Sequence, residues 1–280
     1  MNLRLRNLLV FCTVAVLAGW LGIALNLLTG NTAPPMESLG ALVWLLGPTI
    51  TGLFLRWKGG DGFGDDGLCP NLPLGWQGYL AALLLYPAIT LIGLAASTLF
   101  GTVTITGLAG DGLRAYGAAV GAMFLATLFK NVFEELAWRG YLYPRLQAAG
   151  LGPMVNYAVT AVVWWAWHLP YYYYFLSRAD LAAATPFGIT PFLALGLLVL
   201  WPTAAFFGEV RQASGSVWSA VLLHALVNAI SMPLVLDGFI HTNNWGSLFI
   251  SPTNDSVLMA ILMGAAAWWL HRRNQKLAAS

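Results

Sequence analysis

The sequence predicts an all-α protein, a polytopic membrane bundle of about eight helices with both chain termini in the cytosol. Of the 280 residues, 59% are hydrophobic and only 9% are charged, whereas soluble domains are closer to half apolar and a quarter charged. The apolar residues form runs of about 20, the length that a helix needs to cross a bilayer. Glycine, proline and polar residues fill the segments between these runs.

Eight apolar runs are long enough to span the membrane. They comprise residues 8–28, 39–57, 78–100, 116–137, 154–175, 189–207, 216–236 and 256–271. The first run follows a basic start, as the apolar region of a signal peptide does, but it is longer than such a region and no clear cleavage site follows it. We interpret it as a retained span. The expected location is a bacterial plasma membrane, with the lipid bilayer as a partner.

The positions of lysine and arginine predict the orientation. If the N-terminus is cytosolic, two of the 13 basic residues lie outside, Lys130 lies within a span, and the other ten lie on the cytosolic side. Those ten are Arg4, Arg6, Arg56, Lys58, Arg139, Arg145, Arg211, Arg272, Arg273 and Lys276. Because cytosolic loops are enriched in Lys and Arg, both termini are expected in the cytosol. The net charge of +2 gives no reason to expect a nucleic-acid partner.

Three of the spans carry polar side chains. An ionisable group in a membrane span is costly, so it is treated as a functional candidate. The fourth span carries Lys130, Glu134, Glu135 and Arg139, the fifth carries His168, and the seventh carries His224 and Asn228. Two carboxylates, two histidines and an asparagine on three helices are more than helix packing alone requires.

Helical spacing relates these residues to one another. Glu135 and Arg139 are four apart, as are Lys130 and Glu134, so each pair shares a helix face. Glu134 and Glu135 point about 100° apart, so at most one of them faces a given small target. Interpretations without a catalytic role stay open for both pairs. Glu135 and Arg139 could form a purely structural ion pair, and the Lys130 side chain could extend to the membrane surface.

The depth of these groups decides whether they can meet. A fourth helix that ended at Trp138 would leave Glu134 at the cytosolic surface, whereas His168 lies about 20 Å from the cytosolic end of its own helix. If the fourth helix continues to about Gln147, Glu134 reaches the same depth. We therefore predict a long fourth helix that is tilted or broken near Pro144, because proline kinks a helix.

Three short patterns carry a resemblance to a known family. "EELAWR" fits E-E-x-x-x-R, "WWAWH" fits an aromatic residue followed by three residues and then His, and "HALVN" fits H-x-x-x-N. On separate predicted spans and in this order, they resemble the CAAX protease and bacteriocin-processing family, also called the abortive-infection family, which includes the type II CAAX prenyl endopeptidases. The resemblance covers about residues 115–235. Trp164 stands where phenylalanine is common in the family, and we expect this difference to be harmless.

The resemblance implies an intramembrane endopeptidase that acts near the cytosolic side on a peptide or membrane-protein substrate, prenylated or not. It implies that Glu134 activates water and that His168 helps to hold that water. His224 and Asn228 would stabilise the oxyanion, and Glu135 and Arg139 would shape the site. Glu135 could also share the catalytic role, so the choice of base between the two glutamates stays open.

The cofactor also stays open. Glu134, His168 and His224 would supply three ligands for a single Zn²⁺, a normal number for a catalytic zinc. No H-E-x-x-H pattern is present, and Asn228 close to His224 favours an oxyanion pair, so we prefer a mechanism without metal. Cys12 and Cys69 lie in no Cys/His cluster and are expected to be free thiols.

The expected organisation is one integral membrane domain with three parts. Residues 1–114 form a three-span scaffold, residues 115–235 form the catalytic core, and residues 236–280 form the last span and a basic cytosolic tail.

Two other functions are compatible with such a bundle. One is a noncatalytic membrane scaffold or regulator of the same family, and the other is a transporter, which the lack of an internal repeat disfavours.

Overall fold

A computed structural model describes residues 3–185 and 187–279. Within these residues, eight long helices form the bundle: α1 (Leu3–Leu28), α2 (Leu39–Trp57), α3 (Leu72–Leu99), α4 (Gly112–Ala137), α6 (Pro153–Pro170), α8 (Ile189–Ser214), α9 (Val217–Leu236) and α10 (Val257–Ala279). Two helices are short, α5 (Tyr143–Ala148) and α7 (Arg178–Ala184). Two strands, β1 (Val103–Ile105) and β2 (Ile240–Thr242), pair antiparallel. The all-α class expected from the sequence is confirmed.

Six segments of the described chain are long and apolar enough to cross a bilayer. They are Leu3–Leu28, Leu39–Trp57, Leu72–Leu99, Gly112–Ala148, Ile189–Ser214 and Val217–Leu236. Helices α6 and α10 coincide with the other two expected spans but are not among the six, so the count of eight stays a prediction. Helix α8 continues to Ser214, seven residues beyond the expected end of its apolar run.

Local signals set the ends of the helices. The Ser38 side chain caps α2 by accepting a hydrogen bond from the Ala41 N–H at 3.2 Å, and Ser216 caps α9 in the same way. Gly215 ends α8 with a φ of 66°, a left-handed conformation that favours glycine. Because only Gly215 and Ser216 separate α8 from α9, these two helices are antiparallel neighbours.

The core joins the early helices to the later ones. Trp44 of α2 and Trp167 of α6 stack with ring centroids 4.3 Å apart. Each indole N–H also donates to the backbone carbonyl of the other residue at 2.9 Å. Both side chains are essentially inaccessible to solvent. The division of the chain at residues 114 and 235 stays a prediction.

The fourth helix continues past Trp138 through a π-helical turn, Trp138–Leu142, into α5. In this turn the Tyr143 N–H donates to the carbonyl of Trp138, five residues earlier. The turn directly precedes Pro144, which has no N–H to donate to Gly140. A long fourth helix that is interrupted near Pro144 was expected from the depth argument, and the structure has one.

The π-helical turn frees two carbonyl groups, which arginines of other helices bind. The Arg139 carbonyl accepts from Nε of Arg211 on α8 at 2.9 Å. The Gly140 carbonyl accepts from a guanidinium nitrogen of Arg56 on α2 at 2.5 Å. Both arginines are buried. Because buried carbonyls are costly when unpaired, these contacts stabilise the turn that carries Arg139.

The connecting segments gather at two ends of the bundle. At one end Arg4 donates to the Ala148 carbonyl at 2.8 Å, and the Val217 N–H donates to Gly67 in the loop between α2 and α3 at 2.8 Å. The β1–β2 pair involves the segments before α4 and after α9, which belong to the other end. The count of basic residues assumed that these connecting segments alternate between the two sides of the membrane, and the grouping in the structure agrees with that assumption. The assignment of the first end to the cytosol stays a prediction.

Cys69 provides a test of that orientation, because it is exposed at the first end whereas Cys12 is partly buried in α1. In a Cys12→Ser background, a membrane-impermeant maleimide is expected to label Cys69 in inside-out vesicles and not in intact cells. Labelling of intact cells would reverse the orientation. Labelling after detergent solubilisation is the control for thiol reactivity.

Candidate active site

The ionisable residues at the end of the fourth helix are buried. Glu134 is 1% exposed, and Glu135 and Arg139 are 0% exposed. Charged groups are stable in such surroundings only when they are paired and hydrogen-bonded. The two adjacent glutamates have different partners, as their separation around the helix requires.

Glu134 contacts one residue of its own helix and one of α6. Its Oε1 accepts from the Lys130 ammonium group, one turn earlier. Its Oε2 accepts from the indole Nε1–H of Trp164 at 3.2 Å. An ionised carboxylate has about four acceptor positions, so both oxygens of Glu134 keep a lone pair for a further donor.

Glu135 joins α4 to α9. Its Oε1 accepts from the Arg139 guanidinium at 3.0 Å and from Nδ1 of His224 at 2.7 Å. The Arg139 guanidinium lies over the rings of Trp164 and Phe207, 4.5 and 4.6 Å from their centroids. The ion pair expected from the spacing of Glu135 and Arg139 is therefore present, with two aromatic faces around the cation.

Both candidate histidines use Nδ1 for structural contacts. Nδ1 of His168 lies 2.9 Å from the Trp164 carbonyl, to which it donates, while Nδ1 of His224 is bound to Glu135. The His168 ring also packs edge-on against Trp167, 4.8 Å between centroids. These contacts fix both imidazole rings and leave Nε2 as the nitrogen available to a substrate or water.

Asn228 has a partner that the sequence analysis missed. Its Nδ2 donates to Oδ1 of Asn131 at 3.0 Å, and Asn131 is 0% exposed. Asn131 lies four residues before Glu135 and eight before Arg139, so a polar stripe at helical spacing was the signal that could have identified it. This bond brings Asn228 to the face of α4 that carries Glu135.

Trp164 is the common neighbour of the candidate residues. It donates to Glu134, its ring lies under Arg139, and its centroid is 5.8 Å from that of His168 and 5.7 Å from that of His224. The structure thus brings together residues from α4, α6 and α9 that were predicted to meet. Asn228 joins this cluster through Asn131 rather than through Trp164.

Several buried polar atoms of the fourth helix have no hydrogen-bond partner. Six such side-chain atoms occur in the described residues, and five of them lie between residues 131 and 139. The five are Asn131 Nδ2, Glu135 Oε2, Trp138 Nε1, and Nε and one terminal nitrogen of Arg139. Buried polar groups are rarely left unpaired because each costs about 1–3 kcal/mol. Water or another polar group would satisfy such atoms.

The geometry does not favour the zinc alternative. No group of three His, Cys, Asp or Glu side chains in the described part of the chain is arranged to hold a metal ion. Glu134, His168 and His224 all contact Trp164, whose indole lies among them. We therefore derive no chemical step through a metal.

A second buried polar cluster lies outside this site and was also missed. Glu209 of α8, 2% exposed, accepts from the Tyr157 hydroxyl, from Nδ1 of His271 at 2.9 Å and from Nδ2 of Asn274 at 2.7 Å. The expected sixth span ended at residue 207, so the sequence analysis did not count Glu209 as a buried group. Its contacts hold α10 against α8 and α6.

Comparison with known proteins agrees with the motifs. Residues 115–230 match a family model described as type II CAAX prenyl endopeptidase Rce1-like. The matched residues include all three motifs, on α4, α6 and α9. No curated protein matches the chain. The match over residues 115–230 supports membership of the CAAX protease and bacteriocin-processing family, which implies a CAAX-type protease of the membrane in general terms.

Proposed function

We propose that the protein is an intramembrane endopeptidase that hydrolyses a peptide bond near the cytosolic side by glutamate-activated water. The observation that carries the proposal is the buried carboxylate of Glu134, held by Trp164 beside His168 and His224. A water molecule needs a base to become a nucleophile at a peptide carbonyl. Glu135 is less suited to be that base, because Arg139 and His224 both donate to one of its oxygens.

In the proposed reaction, Glu134 takes a proton from water while the water oxygen attacks the carbonyl carbon. Nε2 of His168 accepts a second hydrogen bond from that water and orients it. The carbonyl oxygen gains the negative charge of the tetrahedral intermediate. When the C–N bond breaks, the leaving amine takes the proton from Glu134, and the carboxylate is restored.

His224 and Asn228 are proposed to stabilise the oxyanion. The Nδ1–H of His224 donates to Glu135, so Nε2 donates to the oxyanion only when the ring is an imidazolium, with Glu135 as its counter-ion. The amide of Asn228, oriented by Asn131, supplies a second donor. Loss of one donor from such a site typically lowers the rate by about 10²–10³-fold.

The histidines provide the test. Purified protein in liposomes is incubated with membrane-associated peptides, prenylated and unprenylated, and cleavage is followed by mass spectrometry. We expect His168→Ala and His224→Ala each to lower the cleavage rate by at least about 10²-fold. His241→Ala is the matched control, because the exposed side chain of His241 lies on β2, outside the three motifs.

Two further results would contradict the proposal. If wild-type activity is lost with a chelator and restored by Zn²⁺, the mechanism without metal is wrong and Glu134, His168 and His224 are the ligands to test. If a biological function of the protein survives Glu134→Gln in cells, a noncatalytic scaffold or regulator is favoured instead.

A further inference from the structure

The hydrogen bond from Trp164 to Glu134 differs from the other indole hydrogen bonds in the described residues. The N–H groups of Trp44, Trp165, Trp167 and Trp218 all donate to backbone carbonyls. Trp164 alone donates to a carboxylate, and that carboxylate is the proposed base. A phenylalanine at this position could not make the bond.

The surroundings of Trp164 fix the direction of its N–H. The side chain is 3% exposed, and the Arg139 guanidinium lies over one face at 4.5 Å. The rings of Trp138 and Phe207 pack around it, with centroids 6.5 and 5.8 Å away. An indole enclosed in this way cannot swing away from Glu134, so its donor is pre-oriented.

The two carboxylate oxygens of Glu134 have donors of different rigidity. Oε2 is bound to a rigid indole, whereas Oε1 is bound to Lys130, whose side chain is flexible and 27% exposed. Anchoring one oxygen by a rigid donor fixes the carboxylate plane and hence the direction of its remaining lone pairs. Small errors in the orientation of a catalytic group can lower the reaction rate strongly.

We propose that Trp164 is a positioning residue for catalysis, and that its indole N–H orients the Glu134 carboxylate toward the attacking water. The indole nitrogen would then have a role that phenylalanine at this position lacks. This inference rests on the proposed function of Glu134 as the base.

The sharpest test replaces Trp164 with 3-benzothienylalanine, which keeps the shape of the ring system and has sulfur in place of the N–H. We expect kcat for peptide cleavage to fall by about 10- to 100-fold, the range for a hydrogen bond to a charged group. KM is expected to change by less than about threefold, because the bond orients the base rather than the substrate. The same replacement at Trp165, whose N–H binds the Leu193 carbonyl, is the matched control and is expected to leave kcat unchanged.

The outcomes separate the inference from the proposed function. If wild-type protein cleaves peptide and the benzothienyl variant at position 164 cleaves equally well, Trp164 acts only through its shape and the inference is wrong. If Trp164→Phe is impaired and the benzothienyl variant is not, the ring volume matters rather than the N–H. If wild-type protein cleaves none of the peptides, the proposed function fails first.

A second measurement does not depend on the activity of a variant at position 164. In ¹⁵N-indole spectra of wild-type protein and Glu134→Ala, we expect one tryptophan N–H resonance to shift in the direction of a weaker hydrogen bond. The Trp164→Phe spectrum, if that variant folds, assigns the resonance. Identical indole spectra for wild type and Glu134→Ala would overturn the inference.

Discussion

Glu134→Gln is expected to lower the rate of peptide cleavage by about 10²–10⁴-fold, the contribution of a general base. Glutamine keeps the size of the side chain and can still accept a hydrogen bond from Trp164 through its amide oxygen, but it cannot take a proton from water. Substrate binding is expected to persist, so the loss should appear in kcat. Cleavage by reconstituted protein under saturating peptide measures it.

Glu209→Gln is the matched control for this experiment. Glu209 is also a buried glutamate with several donors, but its partners are Tyr157, His271 and Asn274. Its replacement is expected to leave kcat within about threefold if the protein remains folded. Full activity of Glu134→Gln, together with loss of activity in Glu135→Gln, would transfer the role of base to Glu135.

Arg139→Met is expected to reduce the free energy of unfolding by about 3–5 kcal/mol, because it leaves the Glu135 carboxylate buried without its cationic partner. Methionine keeps much of the apolar contact with Trp164 and Phe207. Denaturant or thermal unfolding in detergent measures the change. Arg114→Met, at the exposed start of α4, is the control and is expected to change stability by less than about 0.5 kcal/mol.

The double variant Glu135→Gln/Arg139→Met separates charge from packing. If the cost of Arg139→Met arises from the unpaired carboxylate, neutralising Glu135 should recover part of the lost stability. Additive losses would show that Arg139 acts mainly through its contacts with the aromatic rings. In that case the ion pair between Glu135 and Arg139 contributes little.

The sequence was sufficient to predict which helices meet. Side chains of the three motifs contact one another in the structure, and the depth of His168 required a fourth helix that continues past Trp138. Both inferences depend on helical rise and on the cost of charge in lipid, which a single sequence contains. The roles of the individual side chains stay predictions.

Other features depend on contacts that the sequence does not contain. Asn131 is uncharged and was not counted among the costly residues, although its spacing from Glu135 placed it on the same face. Glu209 lies beyond the apolar run of its span, and only the length of α8 brings it inside the bundle. The hydrogen bond from Trp164 to Glu134 depends on the rotation of α6 against α4, which periodicity alone does not fix.

The π-helical turn also has a consequence for the alignment of related sequences. The hydrogen bond from the Tyr143 N–H to the Trp138 carbonyl spans five residues, whereas an α-helical hydrogen bond spans four. The π-helical turn therefore contains one residue more than an α-helical turn. A relative with an uninterrupted α-helix here would therefore have one residue fewer between the positions of Arg139 and Pro144. Aligning such a relative without a gap would shift every later residue of the helix by about 100° around its axis.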